Sequence, residues 1–160
     1  MIRLLFCMML CAPVLLQAQN VTEANVYPTN LEENMYMGAY DAGSATISGI
    51  YFLVLCDGDN SEDVTPPFEV SLYLYPDGGG SDIQVVKTYS LDGIHHMGSH
   101  EFKDETVDFS ELGLSEGSYR LGVWVNSNKA FSEDASDNAM LFKGTIVIGQ
   151  SQTFNTSDGW

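Results

Sequence analysis

The sequence predicts an all-β protein, an antiparallel β-sandwich of about seven strands. Apolar and polar residues alternate along several short segments, which is the pattern of a strand with one buried face. Turn residues separate these segments at the spacing that is typical of a sandwich. No segment shows the sustained 3.6-residue apolar period of an amphipathic helix. We therefore expect two packed sheets with a shared core.

The first 18 residues have the order of a secretory signal peptide. Arg3 precedes the apolar residues 4–16, and Gln17-Ala18-Gln19 follows, so we expect cleavage after Ala18. The apolar run is short for a bilayer, and no other segment approaches a membrane span. The sequence thus predicts an exported protein, secreted or held at the cell surface, with no transmembrane segment.

The remaining chain is divided by composition into three parts. Residues 19–34 are polar, have no clear period and contain Pro28, so we interpret them as an N-terminal arm. Residues 35–149 carry the alternating segments and form the predicted sandwich domain. Residues 150–160 are expected to be a C-terminal tail.

The mature chain is strongly acidic. Without residues 1–18 it has 5 basic and 22 acidic residues, a net charge of −17 with the histidines neutral. A field of this sign repels phosphate backbones and anionic lipids, so bare membrane is a poor partner and we expect no nucleic-acid partner. The same charge suits solubility outside the cell and attracts divalent cations.

The first predicted strands are Met35 to Tyr40, which is short, and Thr46 to Cys56, which is long. From Ile50 to Leu55 both alternating faces are apolar, as in a strand that is covered on both sides. Its outer side would be covered by Met35 and Met37, by a terminal tail or by another chain.

The middle of the chain contains the clearest alternation. Phe68 to Tyr75 forms a strand whose inward residues are Phe68, Val70, Leu72 and Leu74. Ile83 to Tyr89 is a further strand. His100 to Phe109 is more polar, so we place it near a sheet edge.

The last third predicts a strand pair with a long polar connection. Gly117 to Asn126 alternates, with Tyr119 among its inward residues, and Ala139 to Ile148 repeats the pattern. The connection begins and ends with turn residues. A tyrosine that enters a core strand after a glycine turn can bury its ring while its hydroxyl binds the preceding loop.

The segment Glu116 to Val125 resembles the glycine–tyrosine strand of the cell-adhesion-related bacterial domain, CARDB. The family's polar turn and acidic, asparagine-containing stretch correspond to Asn126-Ser127-Asn128, Glu133 and Asp137-Asn138. The resemblance covers roughly Ala45 to Ile148. It implies an immunoglobulin-like sandwich in an exported bacterial protein with an adhesion or interaction role, and it implies no catalytic residue.

An acidic loop follows the long strand and resembles the start of a calcium loop. Asp57, Asp59 and Asp63 could contribute oxygen ligands, and calcium needs six to eight of them. The match to an EF-hand loop stops early. Glu62 occupies the position where the sharp turn requires glycine, and Phe68 occupies the position where a bidentate glutamate is required. A solvated loop is the alternative, and calcium is the one cofactor that the sequence suggests.

The other reactive side chains do not form a recognisable catalytic motif. His95, His96 and His100 lack the spacing of a zinc site in an extended segment. Cys56, the one cysteine after the signal, is flanked by aspartates, which disfavour a reactive thiolate. Because the chain also lacks a nucleophile elbow and a phosphate loop, we expect no enzyme.

Three aromatic residues are predicted on the face opposite the core. Tyr73, Tyr75 and Trp124 lie on two strands that are neighbours in an immunoglobulin-like order, with Leu141 and Val147 on the same side. Such a surface could bind a protein or a sugar. Alternatively, a tail or loop covers it, or the aromatics pair across the strands.

The sequence therefore predicts a non-enzymatic binding module for adhesion or protein–protein interaction at the cell surface. Its partner would be a protein, a glycan or a further copy of the chain. A carbohydrate-binding sandwich that uses the aromatic face is the alternative function.

Overall fold

The computed structural model describes residues 24–29 and 39–149, which form two antiparallel sheets packed face to face. In chain order the strands of this part are β1 Asn25–Thr29, β2 Ala39–Asp41, β3 Thr46–Asp57, β4 Phe68–Pro76, β5 Gln84–Leu91, β6 Ser99–Asp108, β7 Gly117–Val125, β8 Ala139–Leu141 and β9 Ile146–Ile148. A single 3-10 turn, Ser110–Leu112, is the helical element in the same ranges. The predicted all-β sandwich is confirmed.

The strands occupy seven lateral positions in the two sheets. In the first sheet β1 and β2 both pair with one edge of β3, and β6 pairs with the other edge. In the second sheet the order is β5, β4, β7, and both β8 and β9 pair with the far edge of β7. The nine strands of the described part therefore agree with the seven that were expected.

Alternating side chains from both sheets fill the space between them. The first sheet contributes Phe52 and Val54, which are fully buried, and the second contributes Leu72, Leu74 and Val123. Burying apolar area at about 25 cal/mol per Å² is the main force that holds such layers together. On the outer side of β3, Leu53 is buried as well, as expected of a strand whose two faces are apolar.

The N-terminal segment differs from the prediction. Asn25–Thr29, within the expected arm, form β1, which pairs with Leu53–Asp57 and buries Val26 in the core. Pro28 is compatible with this position because β1 has no strand partner on its other side in the described part, where a ladder N–H would be needed. The predicted signal peptide (1–18), the C-terminal tail (150–160), Met35 and Met37 lie outside the described residues.

The last predicted strand is interrupted. Ala139 to Ile148 forms β8 and β9, with Gly144 at φ 117° between them. This φ belongs to the region that only glycine adopts easily, so the chain turns there before it rejoins β7.

The edge of the sandwich between the two sheets is closed by a polar cluster. Lys87 of β5 donates to Glu105 of β6 at 2.7 Å, and the hydroxyl of Tyr89 donates to the same carboxylate oxygen at 2.7 Å. Burial and the Glu105 hydrogen bond raise the pKa of Tyr89 far above its ordinary value. The cluster ties the two sheets together by charge-assisted hydrogen bonds.

Candidate functional site: Trp124 and the β7–β8 loop

The outer face of the second sheet holds the three predicted aromatic residues on adjacent strands. In the β4–β7 register Trp124 is opposite Ser71, Tyr73 is opposite Gly122, and Tyr75 is opposite Arg120. The side chains of Leu72 and Val123 point the other way, into the core. Strand alternation thus puts the aromatics on the face opposite the core.

The three aromatics differ in exposure, and Tyr73 does not offer the exposed surface that the sequence predicted. Only 8% of Tyr73 is exposed, because its ring lies over Gly122 on the neighbouring strand. A Cβ atom at Gly122 would lie 2.4 Å from Cζ of Tyr73, so only glycine leaves room for the ring. Burial raises the pKa of Tyr73, a shift that Arg120 opposes. Tyr75 is half-buried.

Trp124 is the exposed aromatic side chain of the described residues, with 36% of its surface open to solvent. Its cross-strand neighbours, Ser71 and Ala139, are both small, so neither can cover the indole. A tryptophan that remains this open on a sheet face is a natural contact residue, because it combines a large apolar area with few rotamers.

A cavity of about 580 Å³ adjoins this side chain, and we call it the Trp124 cavity. Trp124 forms one wall, and the connection between β7 and β8 forms the others, including Lys129, Phe131, Glu133 and Asn138. Its volume falls within the range of about 300–1,000 Å³ that is usual for ligand sites. Phe131 is held in place by an edge-to-face contact with Phe68 of the core.

The β7–β8 loop is shaped by Asn126, which is buried at the end of β7. Its φ of 50° is one that asparagine tolerates better than most residues. Its side-chain oxygen accepts from the Ala130 N–H at 2.8 Å, and its amide nitrogen donates to the Phe131 carbonyl at 3.0 Å. One side chain therefore closes the first turn of the loop.

Glu133 fixes the second half of the loop. Its carboxylate accepts from the side-chain amides of Asn126 and Asn138, and from the backbone N–H of Val26 at 2.7 Å. Since Val26 belongs to β1, this carboxylate joins the loop to the other sheet. Three donors on one carboxylate make a strong restraint, because charge-assisted hydrogen bonds exceed neutral ones in strength.

A chain of hydroxyl groups lies on the opposite side of Trp124. Ser71 is within 2.9 Å of the Ser127 hydroxyl and 3.2 Å of the Thr88 hydroxyl. Thr88 pairs with Ser71 across β4 and β5, so Thr88, Ser71 and Trp124 form one row across the sheet. The indole of Trp124 therefore adjoins both the Trp124 cavity and the hydroxyl groups of Ser71 and Thr88, which we call the hydroxyl row.

The predicted calcium loop does not assemble into a metal site. Asp57 ends β3 and accepts a hydrogen bond from the Tyr27 hydroxyl at 3.3 Å, while Asp59 and Asp63 are exposed in the loop that follows. In residues 24–29 and 39–149 no three histidine, cysteine, aspartate or glutamate side chains are grouped so that they could hold a metal ion. The Asp57, Asp59 and Asp63 carboxylates are therefore not grouped as metal ligands in the described residues, and calcium binding there stays a prediction.

The histidines and Cys56 lie in different environments. His95 and His100 are exposed, whereas His96 is buried, with its ring packed against Gly58. Cys56 is buried in the core, and burial together with Asp57 and Glu133 raises the pKa of its thiol to about 11. A thiol with this pKa is almost wholly protonated at neutral pH, so it is a poor nucleophile.

The sequence interpretation missed the Trp124 cavity and the network around Glu133. The resemblance had placed Asn126, Glu133 and Asn138 in a polar stretch, but sequence spacing does not show that these side chains meet. The sequence feature that could have indicated this network is an asparagine at each end of the loop, Asn126 and Asn138, with Glu133 as the one glutamate between them.

Across the residues that the structure describes, no helix is both long and apolar enough to cross a membrane.

The solved structures that are similar to this chain include two domains. One is the crystal structure of the CARDB domain of a Pyrococcus furiosus protein in complex with di-metal ions. The sequence identity is 13%, the match covers 79% of the present chain and 93% of the CARDB domain, and the TM-score is 0.47. The other is the solution NMR structure of a domain of a candidate cell surface protein from Methanosarcina acetivorans. The sequence identity is 20%, the match covers 63% of the present chain and 77% of that domain, and the TM-score is 0.39. No protein-family model matches the chain, and no curated protein does.

Proposed function

We propose that this protein is a non-enzymatic binding module of the cell surface, which contacts a protein partner through Trp124 and the β7–β8 loop. The observation that carries the proposal is the exposure of Trp124 beside a cavity of ligand size on a rigid sheet face. Binding energy concentrates on such aromatic anchors with a neighbouring pocket. Of the other two aromatics on this face, Tyr73 packs over Gly122 and Tyr75 is half-buried, so Trp124 offers the largest exposed ring.

The scaffold supports binding more than chemistry. The thiol of Cys56 is a poor nucleophile because it is buried and its pKa is raised, and His96 is buried whereas His95 and His100 are exposed. The loop that forms the cavity is held by hydrogen bonds from Asn126, Asn138 and Val26 to Glu133. A preorganised loop loses little conformational entropy when it binds, which favours affinity.

Site-specific crosslinking tests the proposal. A photoreactive phenylalanine analogue is placed at Trp124 or, as a control, at Lys103, which is exposed on β6 of the other sheet. On cells of the source organism we expect the position 124 probe to capture a discrete surface protein that the position 103 probe does not. Equal labelling from both positions would contradict the proposal. A crosslinked dimer of the chain itself would identify the partner as a second copy.

Carbohydrate binding is the second candidate, and the hydroxyl row favours it. Thr88 is exposed on the same row and could bind a sugar hydroxyl while the sugar ring stacks on the indole, whereas Ser71 is buried and holds Thr88 in place. A glycan array with the native protein and Trp124→Ala tests this function. Glycan binding that the substitution abolishes, together with no captured protein, would select carbohydrate over protein.

A further inference from the structure

We propose that the Trp124 cavity receives a basic side chain, arginine above all, from a positively charged segment of the partner protein. This inference rests on the proposed function and names the chemistry of the partner at that same site. Three features of the cavity carry it: an exposed indole, an uncompensated carboxylate in the wall, and the sign of the surrounding charge.

The exposed indole of Trp124 is a suitable receptor for a cation. Cations bind over aromatic rings within about 6 Å of the ring centre, tryptophan is the best of the rings, and arginine is the more frequent donor. The guanidinium group can also stack flat on the ring and still present its N–H groups to acceptors around it. Trp124 has 36% of its surface available for this contact.

Among the residues that the structure describes, none of the hydrogen-bond donors to Glu133 is positively charged. Its three hydrogen-bond donors are the amides of Asn126 and Asn138 and the N–H of Val26, all of which are neutral. These donors orient the carboxylate of Glu133, which is one of the residues that line the cavity, without placing a positive charge beside it. A cation that enters the cavity therefore gains Coulomb attraction from a carboxylate that is already held in place.

The rest of the loop and the domain reinforce this sign. From Asn126 to Asn138 the loop carries Glu133, Asp134 and Asp137 against Lys129, a net charge of −2. The chain after the expected signal peptide has a net charge of −17. Such a field steers a basic partner toward the face and repels an acidic one. Lys129, exposed at the rim, is the one group of the loop that opposes a cation.

Titration with defined peptides tests the inference. The probe is a capped peptide of alternating glycine and arginine, and its matched control replaces each arginine by citrulline, which has the same shape without the charge. Isothermal titration of residues 19–160 at about 50 mM and 200 mM salt gives the affinities. We expect at least about tenfold tighter binding of the arginine peptide, and weaker binding at the higher salt.

Two substitutions separate the cavity from general attraction to an acidic protein. Trp124→Ala leaves the net charge unchanged and should weaken arginine-peptide binding by about 5- to 10-fold, while Trp124→Phe retains part of it. Lys129→Gln should strengthen binding by at least about 3-fold, whereas Lys103→Gln, an equal change of charge on β6, should have a smaller effect.

The inference is overturned if Trp124→Ala binds the arginine peptide as tightly as the native protein does, or if the citrulline peptide binds equally well. A neutral glycan that displaces the peptide and binds more tightly would also overturn it. If the peptide fails while the probe at position 124 still captures a surface protein, the arginine inference fails and the proposed function stands. If both experiments fail, the proposed function fails as well.

Discussion

Replacing Gly122 by alanine should destabilise the domain although it adds only one methyl group. The new Cβ would lie 2.4 Å from Cζ, 2.7 Å from the hydroxyl oxygen and 2.8 Å from Cε1 of Tyr73. Ordinary carbon contacts need at least about 3.5 Å, so the Tyr73 ring must move by about 1 Å or swing out. Overpacking of this size costs about 1–3 kcal/mol. For a domain of this length that corresponds to a fall in Tm of about 5–10 °C.

A double-mutant cycle shows whether the ring is the cause. When Tyr73→Ala has removed the ring, Gly122→Ala meets no obstacle, and alanine then disfavours the unfolded chain relative to glycine. We therefore expect the sign to reverse, with Gly122→Ala stabilising by up to about 1 kcal/mol in that background. Urea denaturation of the four proteins measures the coupling energy.

Gly78→Ala is the matched control. Gly78 lies in the turn after β4, and a Cβ there would have no heavy atom within 4 Å. Its stability should stay within about 0.5 kcal/mol of the native value. If Gly122→Ala is as stable as Gly78→Ala, or if its cost is the same with and without the Tyr73 ring, the explanation for the burial of Tyr73 is refuted.

Three further predictions concern the core, the loop and the edge of the sandwich. Tyr119→Ala should cost at least about 3 kcal/mol of folding stability, because the ring is buried. Tyr119→Phe should cost about 1 kcal/mol, because it removes only the 3.0 Å hydrogen bond to the Ser115 carbonyl. Thermal unfolding of both variants measures this, and an unchanged Tm for Tyr119→Ala would refute the core assignment. Glu133→Gln should cost about 2 kcal/mol and speed amide hydrogen exchange in residues 126–138, because a neutral amide cannot accept as strongly from three donors; unchanged exchange would contradict this. Burial raises the pKa of Glu105, but the hydrogen bonds from Lys87 and Tyr89 outweigh it and hold the pKa below its ordinary 4.5. The stability that the ionised Glu105 carboxylate adds is therefore present above pH 4.5 and is lost as the pH falls through the folded-state pKa. Lys87→Met should accordingly cost up to about 1 kcal/mol at pH 7 and less at pH 3. An equal cost at both pH values in urea denaturation would exclude the ion pair as the cause.

The long strands could be predicted from sequence because their alternation is long. Phe68 to Tyr75 and Thr46 to Cys56 each end within one residue of the observed β4 and β3. A pattern of eight or more residues leaves little doubt about which side faces the core, since a slip of one residue would expose it. A tyrosine after a glycine turn was expected to bind the preceding loop through its hydroxyl, and the Tyr119 hydroxyl does donate to the Ser115 carbonyl there.

Short strands and pair contacts could not be predicted in this way. β1 has five residues, and only Val26 and Pro28 are buried, which is too few to establish a period of two. The burial of Tyr73 depends on the register that sets Gly122 opposite it, and a single strand's sequence does not contain that register. Likewise, the cavity depends on Glu133 reaching Val26, which is 107 positions away along the chain.

The strand that the sequence left out is therefore the one that supports the candidate site. β1 fills the first sheet beside β3, and its Val26 N–H is the only backbone group among the Glu133 donors within the described ranges. Any process that displaces β1 would remove this donor and leave the partly buried carboxylate with two amides. Because the loss of one charge-assisted hydrogen bond weakens this restraint, we expect the loop to become more mobile, together with the cavity residues that it contributes. The shape of the Trp124 cavity is thus coupled to the N-terminal strand on the other sheet, although Trp124 itself lies on the outer face of the second sheet.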